Sequence, residues 1–81
     1  MKALIHVTLK PDVLDPQGTA IRSACASLGY EAIEDVRQGK LFEVRLAAAD
    51  EAEARRLVEE VCQKLLASPV IEDYAILRIE T

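Results

Sequence analysis

"EAIEDVRQGKLFEVRL", residues 31–46, decides how the chain is read as a fold. Residues 40–47 look extended: Phe42, Val44 and Leu46 alternate with Glu43 and Arg45, the pattern of a half-buried strand. Residues 32–37 read as a second strand, and "RQGK" between them as a turn. Gln38 resists the positive φ of a two-residue Asn-Gly-type turn. A type I turn with Gly39 as the left-handed bulge residue fits better. Residues 32–37 and 40–47 are therefore expected to form a hairpin.

Elements on either side follow from the same kind of pattern. In "KALIHVTLK", residues 2–10, Ala3, Ile5, Val7 and Leu9 face one way and Lys2, His6, Thr8 and Lys10 the other, with Leu4 out of step. Residues 16–28 read as a helix, with Ile21, Ala24, Cys25 and Leu28 on one face. Asp15 caps it, Pro16 suits its first position, and Gly29 stops it. Asp50 and Glu53 form a capping box for a second helix to about Leu66, with Ala54, Leu57, Val58, Val61 and Leu65 on its apolar face. "VIEDYAILRIE", residues 70–80, is the last strand; Ala75, Leu77 and Ile79 alternate there with Tyr74, Ile76 and Arg78. The order β-α-β-β-α-β, with right-handed crossovers, implies an α+β ferredoxin-like sandwich: a four-stranded antiparallel sheet with two helices on one face. The first and third strands would be central, the second and fourth edges. Residues 1–81 read as one domain.

Composition removes several function classes. The chain has 81 residues, 51% hydrophobic and 30% charged, with a formal net charge of −4. That balance disfavours nucleic acid and anionic membrane as partners. No apolar run approaches a membrane span of roughly 20 residues, and "MKALIHVTLK" is no signal peptide. Cys25 and Cys62 form no metal or redox motif, so a reduced cytoplasmic setting is expected. A domain this size buries only about 60–65% of its unfolded surface. Leu4 and Ile76 would leave apolar surface on the helix-free side, and the edges are open, so self-association is expected.

The sequence carries no catalytic constellation. His6 lacks a positioned partner for proton transfer. Cys25 and Cys62 sit on or beside apolar helix faces, unlike the polar, basic setting of a reactive thiolate. "QGK" at 38–40 fails as a phosphate loop, with Glu34 where glycine is needed and Leu41 where Ser or Thr is needed. Tyr30, Phe42 and Tyr74 do not make the basic, aromatic sheet face of an RNA binder. "LDPQG" at 14–18 places a glycine in a first helical turn, where it costs up to roughly 1 kcal/mol against alanine. Asp15 would itself cap the free N–H groups, which argues against an anion site there. Gly18 serves either its own backbone or the close approach of another segment.

"LDPQG" at 14–18, "DVRQGK" at 35–40 and "KLLASPVIEDY" at 64–74, in that order and spanning nearly the whole chain, resemble the PurS family. Ser68 departs from the Asn common before "PVIEDY"; both residues can end a helix. PurS proteins are the small subunits of phosphoribosylformylglycinamidine synthase. The resemblance implies a complex that makes formylglycinamidine ribonucleotide from formylglycinamide ribonucleotide, glutamine and ATP. It implies a PurQ glutaminase that releases ammonia and a PurL synthetase that holds ATP and magnesium, with no cofactor on this chain. It implies a non-catalytic bridge, present in two copies, that assists ammonia transfer. Asp15, Gly18, Arg37, Gly39 and Lys40 would be docking positions, and Gly18→Leu would then leave folding intact. Two other readings compete, and the first of them shares the element order. An ACT-like regulatory module lacks "DVRQGK" and "VIEDY"; an acylphosphatase needs an Arg in a glycine-rich first loop, where residues 10–18 carry two Asp and no Arg.

Overall fold

The computed structural model describes residues 1–81. β1 (Lys2–Leu9) leads to α1 (Pro16–Ser27), then β2 (Gly39–Arg45), α2 (Glu51–Val61) with a π turn over Cys62–Leu66, and β3 (Glu72–Glu80). The antiparallel sheet has three strands in the order β2-β1-β3, with Val7 opposite Lys40 on one side and Tyr74 on the other. β1 is central, as its alternation implies: Ala3, Ile5 and Val7 are buried and lie in one cluster with Val58, Cys62 and Ala67. Phe42, Val44, Tyr74, Ile76 and Ile79 pack around that cluster.

The four-stranded sheet is corrected to three, because residues 32–37 form no strand. The turn needed Gly39 in the left-handed region, but Gly29 is the only residue with positive φ, at 91°. Gly39 instead begins β2, opposite Thr8. Residues 37 and 38 are held elsewhere: Arg37 donates to the Lys10 and Val13 carbonyls, and the Gln38 N–H donates to Asp15.

Two helices on one sheet face is corrected to one. α2 covers the sheet through Val58 and the following Cys62, whereas Gly18 is the only buried residue of α1. Ile21 and Leu28 stay 44% and 74% exposed. α1 and residues 30–36 stand out as an arm. The molecule measures 51 × 26 × 14 Å, with a radius of gyration of 16.1 Å. A compact chain of this length would have about 12 Å.

Local signals explain the remaining elements and two slips of phase. Asp50 accepts the Glu53 N–H at 2.8 Å while Glu53 reaches back to the Ala49 N–H at 3.0 Å, a capping box displaced by one residue on its return side. The Ala67 N–H reaches the Cys62 carbonyl at 3.0 Å, and this π turn adds one residue to the helical repeat. Leu66 therefore packs against the core and Leu65 is 79% exposed, the reverse of the uninterrupted helical pattern. In β3, Ile5 faces Ile76 but Leu4 faces Arg78, so Leu77 bulges out of the ladder. Ile76 thus packs on the core side and Leu77 is 57% exposed, not the other way round.

Candidate functional site

The five expected docking positions converge at one corner, where the chain leaves β1 for the arm and returns from it into β2. Asp15 is the hub. It is 5% exposed and takes hydrogen bonds from two crossing segments: the Gly18 N–H at 3.0 Å to Oδ1, and the Gln38 N–H at 2.6 Å to Oδ2. Those donors, Gln38 first and Gly18 second, hold the Asp15 carboxyl below the usual carboxylate range. The positive charge of Arg37 acts in the same direction, and burial opposes it.

Gly18 has a steric reason to be glycine. A Cβ there would lie 2.1 Å from the Val36 carbonyl oxygen. Of the two roles the sequence leaves open, its own backbone or the close approach of another segment, the structure shows a close approach, and it is made by this chain's own returning segment. The expectation that Gly18→Leu leaves folding intact is therefore corrected: the obstruction is backbone, which a rotamer change cannot relieve. At Gly39 a Cβ would meet the ring Nε2 of His6 and Cγ2 of Thr8, each at 2.8 Å, and the Val7 carbonyl oxygen at 2.9 Å.

Arg37 braces the same crossing, its Nη2 donating to the Lys10 and Val13 carbonyls, both at 3.0 Å. Lys40 points toward Glu72, with Nζ 3.4 Å from Oε2 and its side chain 62% exposed. The other Glu72 oxygen accepts the Ser68 N–H at 2.8 Å, which is the first cause of its lowered pKa. Lys10 completes the corner: its N–H donates to the Ile71 carbonyl at 2.8 Å and its ammonium meets Asp73 at 2.7 Å. Residues 10–18, 35–40 and 68–74 are thus one three-way junction. Val36, Gln38 and Glu72 were not among the expected site residues. Gln38 and Val36 act through their backbones, and no side-chain pattern marks such a contact.

The junction holds segments together and places no nucleophile beside a base. His6 lies on the exposed, helix-free sheet face. Cys62 sits in the core, where burial pushes its thiol pKa up, away from thiolate character. No group of three or more His, Cys, Asp or Glu residues is placed to hold a metal ion. No helix is long and apolar enough to cross a membrane.

Comparison with known proteins agrees with the resemblance carried by those three stretches. A family model described as "PurS: Phosphoribosylformylglycinamidine (FGAM) synthase" matches residues 2–80. The chain is 50% identical over 70 residues to the phosphoribosylformylglycinamidine synthase subunit PurS of Synechocystis, covering 86% of this chain and 70% of that one. It is 47% identical over 73 residues to the PurS subunit of Bacillus subtilis, covering 90% of this chain and 86% of the relative. A crystal structure of Bacillus subtilis PurS superposes with a TM-score of 0.84 at 44% identity, over 98% of each chain.

Proposed function

The chain belongs to the PurS family, and from that premise we infer that it works as the PurS subunit of phosphoribosylformylglycinamidine synthase, a ligase complex of purine biosynthesis. The observation that carries this reading is the family match across residues 2–80. In such a complex the chain is non-catalytic. The chemistry falls to a PurL synthetase, which would bind ATP and magnesium, and to a PurQ glutaminase. This chain bridges the two and helps ammonia pass between them, and its work lies in the cytoplasm. An ACT-like regulatory role has no support beside that match.

The corner is proposed as the docking surface. Arg37 and the exposed end of Lys40 can donate charge-assisted hydrogen bonds to partner carboxylates or carbonyls. Asp15, Gly18 and Gly39 shape the backbone beneath them. The direct test is assembly. The chain is mixed with PurL, PurQ, glutamine and ADP, and passed over a sizing column. Elution as one complex is expected; a small subunit that elutes alone under every condition refutes the reading.

A second copy of the chain is the other partner. Accessible surface is 5831 Å², whereas a compact protein of this mass exposes about 4,800 Å². The excess, about 1,000 Å², matches the roughly 800 Å² that each partner buries in a stable interface. The arm contributes to it: Ile21, Leu28, Tyr30 and Ile33 are exposed there. A second helix packed on the face that α2 covers and a strand paired to the outer edge of β2 are both missing from one chain. Exchange of arms between two copies would supply both from the partner and restore in the dimer the ferredoxin-like arrangement that one chain lacks.

A further inference from the structure

The arm extends from the body, and only its root holds it there. Gly18 is the one buried residue of α1, so the helix has no packed face to fix its direction. Two connections run between arm and body, residues 10–15 outgoing and 36–39 returning, and they cross at Asp15. We propose that Asp15, with Arg37, is a latch that locks these connections together and presets the direction of the arm before a second copy binds.

Geometry carries the assignment. One Asp15 oxygen is used by the outgoing helix start and the other by the returning segment. Arg37, on the returning segment, spans two outgoing carbonyls, those of Lys10 and Val13. Each segment therefore grips the other through a side chain that meets backbone. Gly18 lets them close, since any Cβ would strike the Val36 carbonyl and also come within 2.7 Å of Asp15 Oδ2. A two-stranded root without these bonds would leave the arm free to swing. A fixed arm loses less conformational freedom when it docks, which favours association without adding a contact.

This latch rests on the arm-exchange reading for its benefit, but not for its detection. Asp15→Asn keeps the shape of the side chain and replaces one acceptor oxygen with a donor, which must then face a backbone N–H. Amide hydrogen exchange and sedimentation are measured on the full chain, wild type and variant. The Gly18 and Gln38 amides are expected to exchange at least tenfold faster in the variant, a larger factor than that of the β1 and β3 amides, which report the loss of global stability. The self-association constant is expected to weaken at least tenfold. A wild type that stays monomeric would refute arm exchange, while faster exchange at Gln38 would still establish the latch. Unchanged exchange at Gly18 and Gln38 in a folded variant overturns the latch. Should Asp15→Asn lose protection in β1, Arg37→Met removes the second brace from an exposed side chain; faster exchange at Gln38, the next residue, with a weaker self-association constant then supports the latch, and no change in either overturns it.

Discussion

Gly18→Ala is the sharpest perturbation of the junction, because two effects of opposite sign meet at one atom. On an unobstructed helix the change favours the folded state by about 1 kcal/mol, through helix propensity and a less flexible unfolded chain. Here the new Cβ would lie 2.1 Å from the Val36 carbonyl oxygen. Ordinary contact needs more than 3 Å, so the outgoing and returning backbones must separate by over 1 Å. Such a shift strains the Asp15–Gln38 hydrogen bond, which is 2.6 Å long. Overpacking against atoms that cannot rotate away costs typically 1–3 kcal/mol. Because backbone rather than a side chain is struck, the upper part of that range applies, leaving a net loss of about 1–2 kcal/mol. For a domain this small, each kcal/mol moves the melting temperature by roughly 4–8 °C. Thermal melts followed by far-UV circular dichroism, at one fixed concentration so that association does not shift the midpoint, should therefore fall by roughly 4–16 °C. A variant as stable as the wild type or more so would refute the close approach.

Three further outcomes are expected. The Asp15 carboxyl is depressed below its unfolded value, so the stability it contributes is complete above the ordinary carboxylate range and is lost as pH falls through the folded pKa; the Gln38 amide resonance should shift in that acidic window and stay constant from pH 5 to 8. Cys62, buried and with its thiol pKa raised, should react with iodoacetamide at least a hundredfold more slowly in the native chain than in urea, and Cys62→Ala should lower stability by about 1 kcal/mol through lost core volume. Replacing both Arg37 and Lys40 with alanine should weaken assembly with PurL and PurQ and make what remains less sensitive to salt; an unchanged affinity and salt response would remove them from the docking surface.

Periodicity located every helix and three strands, because burial on one face leaves a repeat in the sequence. Asp15, Pro16, Gly29 and Asp50 marked helix ends, since capping is a local matter settled within a turn. The errors have other causes. Residues 32–37 have strand-like composition, yet Arg37 and the adjoining Gln38 bond to Lys10, Val13 and Asp15 across the chain. The π turn and the bulge at Leu77 each insert one residue, which inverts the facing of Leu65, Leu66, Ile76 and Leu77 without changing composition. Gly18 was visible as an anomaly, but not its cause, because the Val36 carbonyl that approaches it is a backbone atom eighteen residues away. The site's pieces were legible as three stretches; their junction was not, since nothing in one sequence tells which loops meet.

The claim that this chain is a bridge for ammonia, not a catalyst, is tested most directly by two rates. PurL and PurQ are assayed with and without the chain, once with glutamine and once with ammonium salt as the nitrogen source. Glutamine-dependent formation of formylglycinamidine ribonucleotide should depend strongly on the chain, while ammonium-driven synthesis by PurL should depend on it far less. Equal loss of both rates when the chain is omitted, with PurL still folded, would contradict the account.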